Sequence, residues 1–262
     1  MGARAETLLP DDSVPHGGTQ LDWVTEVHFG GLRVAEIDVK ARWTGARYQL
    51  TSQTRTVGAA QYLSDANYLA TARGIIERKS VKPLLFTNDY RSADGNQALQ
   101  IAFDLDGAVG YLIVPADPNA DPVARSVRHA AVDPLSALLH VVLGTTADSQ
   151  APCGRAVPIF DGRSRYDLLL DYVRDITIAA DETAAYDGPG LLCKIRLQPM
   201  DGFEMTGDVD PGRWQSRLEM ASVSGGRFVV PLRLSLRTDF GGLVARVTQF
   251  TMSEDLDGAK SD

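Results

Sequence analysis

Residues 33–43 read Arg-Val-Ala-Glu-Ile-Asp-Val-Lys-Ala-Arg-Trp. Ala35, Ile37, Val39, Ala41 and Trp43 take the odd positions, and Glu36, Asp38, Lys40 and Arg42 alternate with them. Successive side chains of an extended strand point to opposite faces, so this period of two predicts a strand with one dry and one wet side. Gly30-Gly31 before the run and Gly45 after it supply hairpin turns to flanking strands at 22–29 and 46–57. The stretch specifies antiparallel β-structure.

The same pattern continues along the chain. Strands are predicted at 75–80, 83–91, 97–106 and 108–114, separated by Pro83, Asp94-Gly95 and Asp106-Gly107. In the third of these, Leu99, Ile101, Phe103 and Leu105 share a face. The segment 157–172 holds an Asp161-Gly162 hairpin turn, with Tyr166, Leu168, Leu170 and Tyr172 on one face. Leu191, Cys193, Ile195 and Leu197 line the next strand. Further strands fall near 213–223, 227–238 and 241–252, the second carrying Phe228, Val230, Leu232, Leu234 and Leu236 on one side.

Two segments break the alternation. In 58–72, Ala59, Tyr62, Leu63, Ala66, Leu69 and Ala70 fall at three- and four-residue spacing, which predicts an amphipathic helix closed by Gly74. After a Pro- and Asp-rich loop at 115–132, Asp133 is suited to N-cap a second helix. Pro134 suits its first position, and Leu135, Leu138, Leu139 and Val142 form its apolar stripe. Residues 1–20 read as a flexible arm, 21–252 as a single β-rich domain and 253–262 as a flexible tail.

A long meander of one-sided strands must close on itself or wrap something apolar. The expected fold is therefore mainly β, an antiparallel meander forming an open or incompletely closed barrel with two short helices on its concave face. Leu99, Ile101, Phe103, Leu135, Leu138, Leu139, Phe228, Leu232 and Leu234 are the expected lining of any apolar cavity inside it.

Composition narrows the partners. Lys and Arg number 26 against 34 Asp and Glu in 262 residues, a formal charge of −8. Without a basic stripe, so acidic a chain argues against nucleic acid, whose affinity rests on phosphate neutralisation. No apolar run approaches the roughly 20 residues of a transmembrane helix. The two cysteines, Cys153 and Cys193, fit one disulfide in an exported protein, with two independent buried thiols as the alternative. Closing a loop of about 40 residues would stabilise the fold by roughly 4 kcal/mol in the chain-entropy account. Ala3-Arg4-Ala5 has the small-x-small pattern that ends a bacterial signal peptide, with Glu6 as first mature residue and an ordinary Ala-rich start as the alternative. Both clues favour the periplasm.

Chemical motifs are weak. His16, His28, His129 and His140 are scattered, with none of the i, i+2 or i, i+4 pairs that build a zinc site. Asp117, Asn119 and Asp121 imitate a calcium loop, but Pro122 and Arg128 stand where Gly and Glu are needed. Ser136 and His140 lie one turn apart on a helix without an identified acid or oxyanion hole. Asp161 and Asp167 read as turn and solvated-face residues rather than an acid pair. Arg163, Arg165, Arg233 and Arg237 could bind a carboxylate or phosphate head group, against the simpler reading of a solvated strand face. No cofactor motif stands out.

Three stretches carry a resemblance: Val132-Asp133-Pro134-Leu135-Ser136-Ala137; Cys153 with Val157-Pro158-Ile159-Phe160-Asp161-Gly162-Arg163-Ser164-Arg165-Tyr166; and Tyr186-Asp187-Gly188 before Cys193. With them the chain from about 21 to 252 resembles the domain-of-unknown-function family DUF3108, whose alphaproteobacterial members are exported. The resemblance implies a periplasmic envelope protein and supplies no catalytic residues. At the level of fold it is also similar to the half-open β-barrels of lipoprotein carriers, which shelter acyl chains around a helix plug. The expected function is noncatalytic: binding a lipid, an acyl chain or an envelope protein. The alternatives are a scaffold binding proteins or peptidoglycan through a strand edge, and an envelope glycan or lipid hydrolase.

Overall fold

The computed structural model describes residues 18–255, except 63, 78–79, 94, 105–108, 117–121, 145–151, 180–184, 203–214 and 239–240. The first arm of the chain runs β1 (Gly18–Phe29), β2 (Leu32–Thr44), β3 (Arg47–Thr56), a 3₁₀ turn at Gly58–Tyr62, β4 (Asn67–Glu77), β5 (Ser80–Ser92), β6 (Gly95–Phe103) and β7 (Val109–Val114). Helices α1 (Arg125–Arg128) and α2 (Pro134–Val142) follow. The second arm is β8 (Arg155–Phe160), β9 (Arg165–Ile178), β10 (Gly188–Asp201), β11 (Gln215–Val223), β12 (Phe228–Thr238) and β13 (Gly241–Asp255).

All 13 strands form one sheet in the order β7-β6-β5-β4-β3-β2-β1-β13-β12-β11-β10-β9-β8, and every neighbour pairs antiparallel. From β1 at the middle of the sheet the chain meanders to the edge β7, crosses through the helices to the far edge β8, and meanders back to pair β13 with β1. This is the open, mainly β barrel expected from the alternating runs.

The edges β7 and β8 share no backbone ladder, yet side chains join them. The rings of Tyr111 and Phe160 meet edge to face at 5.3 Å, and the Arg128 guanidinium lies over both, 4.8 and 5.6 Å from their centroids. Arg163 donates to Gln97 Oε1 at 2.7 Å across the same seam. Gly162, at φ +97°, lets the β8–β9 turn come against Leu99: a Cβ there would sit 2.5 Å from Leu99 Cδ1. The outer edge of β8 is capped by Val132, whose N–H donates to Pro158 O and whose carbonyl accepts from the Phe160 N–H.

Helix α2 is the plug. Asp133 caps it as its sequence suggests, its carboxylate accepting from the Ser136 N–H at 2.8 Å, with Pro134 at the first position. The helix packs against β3, β4, β5, β8 and β12. Leu135, Leu139 and Val142 join the main core, Val141 the cluster around the disulfide, and Ala137 a third cluster with Val157 and Ile159. Apolar contacts on every side mark it as the centre of the barrel rather than a surface helix.

Three expectations need correction. The amphipathic helix over 58–72 does not form: a short 3₁₀ turn is followed by strand β4. Its apolar spacing comes from small residues on one strand face, where Ala70, Ala72 and Gly74 pair with Ser52, Leu50 and Tyr48 of β3. Those small side chains leave room for Tyr48 and α2, so pairing on both sides overrode a local period. Pro83 does not separate two strands; it lies inside β5 opposite Gly74 at a bulge, where a missing N–H is tolerated. The ordered sheet also reaches past the expected bounds, for Gly18 pairs with Asp255. The remaining arm and tail residues, and the calcium-like Asp117, Asn119 and Asp121, lie outside the described residues.

Candidate functional site

The nine residues expected to line a cavity do come together, but as packed core. Leu99, Ile101, Phe103, Leu135, Leu138, Leu139, Phe228 and Leu232 belong to the main cluster and Leu234 packs on the disulfide cluster. Helix α2 occupies the space that curved strands would otherwise enclose. Cys153 and Cys193 form the expected bond, Cα–Cα 6.2 Å, packed with Val141, Leu170, Leu191, Leu218, Met220 and Val229. The link therefore ties the segment after α2 to β10 and the sheet beneath it.

At the head of α2 lies a buried polar chain. Tyr48 Oη is 2.7 Å from Ser136 Oγ, and the Ser136 hydroxyl in turn donates to Asp133 Oδ2. With that hydroxyl proton committed, Tyr48 is the donor to Ser136. Asp133 and Ser136 are fully buried and Tyr48 nearly so. Burial pushes the Asp133 carboxyl up to about 6 against the bonds from Ser136 and the backbone that favour its ionised form. Burial, then the Asp133 charge, holds the Tyr48 hydroxyl well above the usual phenol range. His140, one turn along, is lowered by burial and by the Arg155 charge. Asp133 and Ser136 cap the helix, and Tyr48 fastens it to β3.

The other weak motifs resolve into structure. Asp161 accepts from the N–H groups of Arg163 and Ser164 at 2.9 and 2.7 Å, closing the β8–β9 turn. Asp167 pairs with Arg165 at 2.6 Å. Among the described residues, no group of three or more His, Cys, Asp or Glu could hold a metal. Among the described residues no helix is long and apolar enough to cross a membrane.

One cleft lies where the sheet splits. β12 and β13 pair from Thr238–Gly241 to Arg233–Arg246; beyond that point β12 continues with β11 alone and β13 with β1 alone. Pro231, which has no N–H to give a ladder, and the bulged Leu232 sit at the branch. Aromatic side chains line the far end of the fork, beside an open recess of about 540 Å³ bounded by Val223, Arg227, Phe250 and Met252. Phe228 meets Trp43 edge to face at 5.5 Å, and Tyr186, whose Oη is 2.9 Å from Ser222 O, lies 6.2 Å from the Phe250 ring. At the crotch remains a cleft of about 330 Å³.

Cross-strand register builds one wall of that cleft. Arg174 pairs with Leu192, Leu192 with Glu219, Glu219 with Arg233 and Arg233 with Arg246. In-register partners point to one face, so these side chains form a row, which Arg217, Ile176 and Ile178 extend two and four positions along their strands. Leu232 and Val247 contribute from the branch point. The row faces away from the disulfide, because the neighbouring pairs Leu191–Met220 and Cys193–Leu218 take the opposite side.

Among the described residues that line the cleft, four arginines and one glutamate carry a formal charge of +3 on a chain of −8. Arg174, Arg217 and Arg233 have no ion pair among the described residues, and like charges directly opposite, as Arg233 and Arg246 are, cost stability. Of the arginines singled out from sequence, Arg233 lies here. Arg237 stands four positions further along β12, Arg163 bridges the seam and Arg165 is buried beside Asp167. Arg174, Arg217 and Arg246 were not visible as site residues, since only strand pairing brings them together.

The family described as "Protein of unknown function (DUF3108)" matches residues 24–248. No curated protein matches the chain. Among solved structures it is similar to a β-barrel-like protein of domain of unknown function DUF1849 from Brucella abortus. That likeness has a TM-score of 0.56 at 9% sequence identity and covers 92% of this chain and 100% of the other. It is a likeness of fold.

Proposed function

The chain belongs to the DUF3108 family, and we propose that this member is a noncatalytic binding protein of the bacterial cell envelope that works in the periplasm and holds a lipid or acyl-chain ligand. The observation that carries this reading is the cleft at the β12–β13 fork. Its volume of about 330 Å³ falls in the range of small-molecule sites, and it sets Ile176, Ile178, Leu192, Leu232 and Val247 beside polar groups. The ligand goes to the cleft rather than to the barrel interior, because α2 and its clusters occupy the latter. The buried Cys153–Cys193 bond supports an oxidising compartment. Ser136 supports a noncatalytic role, being fully buried and engaged with Asp133 and Tyr48.

Native mass spectrometry of the protein purified from its own periplasm tests the reading. A copurifying lipid or acyl species, lost on organic extraction, is expected; protein repeatedly free of any ligand would overturn it. A scaffolding role has one observation in its favour. The edge strand β7 carries no charged residue and exposes Leu112 and Val114 by 61% and 53%. In that case a pull-down would recover a stoichiometric protein partner, and Leu112→Lys would lose it.

A further inference from the structure

We propose that the cleft at the fork reads an anionic head group: Arg174, Arg217 and Arg233 grip the phosphate or carboxylate of a single-chain amphiphile, and its tail lies on the Ile176–Leu192–Leu232 wall. This rests on the binding role proposed above and adds the charge of the ligand. The guanidinium fork matches planar or tetrahedral oxyanions with two parallel hydrogen bonds, which an ammonium cannot do.

Three features of the cleft point to an anion. Its arginines come from β9, β11, β12 and β13, separate strands that a surface chosen for solubility alone would have no reason to align. The row places Arg233 directly opposite Arg246, a repulsion that a bound anion relieves. Glu219, the one carboxylate among the described residues of the wall, pairs in register with Arg233 yet makes no ion pair among those residues. The charges of Arg174, Arg217 and Arg233 are therefore not cancelled by an ion pair among the described residues. The apolar side of the cleft makes a plain inorganic anion a poor match, since burying Ile176, Ile178 and Leu192 against water gains nothing from it.

The test is calorimetric titration, below their micelle concentrations, of dodecyl phosphate, dodecyl maltoside and inorganic phosphate into the whole protein. Dodecyl phosphate is expected to bind tightest and to weaken as salt rises. The double variant Arg217→Gln/Arg233→Gln is expected to bind it about tenfold or more weakly. Both side chains are exposed, so the variant should keep its melting temperature and its weak binding of dodecyl maltoside. Glu219→Gln, which removes the opposing charge, should instead tighten dodecyl phosphate binding. Equal binding of both dodecyl ligands, unmoved by either variant, overturns the head-group assignment and leaves the binding role standing. Inorganic phosphate binding as tightly as dodecyl phosphate overturns the amphiphile. If no ligand binds, the proposed function falls as well.

Discussion

Replacing Asp133 with asparagine should change how stability depends on pH, in a direction set by burial. Asp133 is fully buried, and its folded value of about 6 lies above that of an exposed aspartate. A carboxyl raised on folding contributes stability that is fully present below its unfolded value and is lost as pH rises through its folded one. A shift of about two units corresponds to about 3 kcal/mol, and the part recovered between pH 7.5 and pH 4 is about 2 kcal/mol. The amide of the Asp133→Asn variant has no such titration. It keeps an oxygen for the Ser136 N–H, and its NH₂ can donate to Ser136 Oγ, which then donates to Tyr48, so the chain of bonds survives with its direction reversed. Urea unfolding of wild type and Asp133→Asn at pH 4 and pH 7.5, on either side of the pI of about 5.0, isolates the effect, because all other titrations cancel in the difference. Wild type should gain about 2 kcal/mol relative to the variant on going to pH 4. Parallel stabilities at the two pH values, or a wild type that gains toward pH 7.5, would refute the argument that burial dominates this carboxyl.

Replacing both cysteines with alanine should cost about 4 kcal/mol from the loop of separation 40, and lower the calorimetric melting temperature by about 10 °C. Leu139→Ala removes a fully buried side chain from the plug and should cost about 3 kcal/mol in urea unfolding. Gly74→Ala would place a Cβ 2.2 Å from Lys82 O and 2.7 Å from Tyr48 Oη, and should destabilise by about 2 kcal/mol or more on the same measurement. Leu112→Lys, at the exposed edge, should stay within about 0.5 kcal/mol of wild type.

Much of the sheet was legible because its signals are local. The alternation in 33–43, the Asp161-Gly162 turn and the Asp133-Pro134 cap each act within a few residues, and each forms where its chemistry places it. β4 escapes a local reading because Ala70, Ala72 and Gly74 are too small for hydrophobicity to show their strand period. Their size answers to Tyr48 and the helix beyond it, neighbours that no local window contains. The candidate site was less legible still: Arg233 stood out as one strand arginine among several, with nothing to distinguish it from Arg237.

The sequence by itself determined the class of fold, the plug helix with its cap, and the cysteine pair that staples the region behind it to β10. It did so through periods, turns and caps, whose energies depend on residues adjacent in the chain. Only the tertiary structure decided that α2 fills the barrel and that an arginine-lined cleft opens at the β12–β13 fork. It also decided that Arg174, Arg217, Arg233 and Arg246 meet there. Volume left after packing, and charge gathered by register between distant strands, are properties of the assembled sheet rather than of any segment within it.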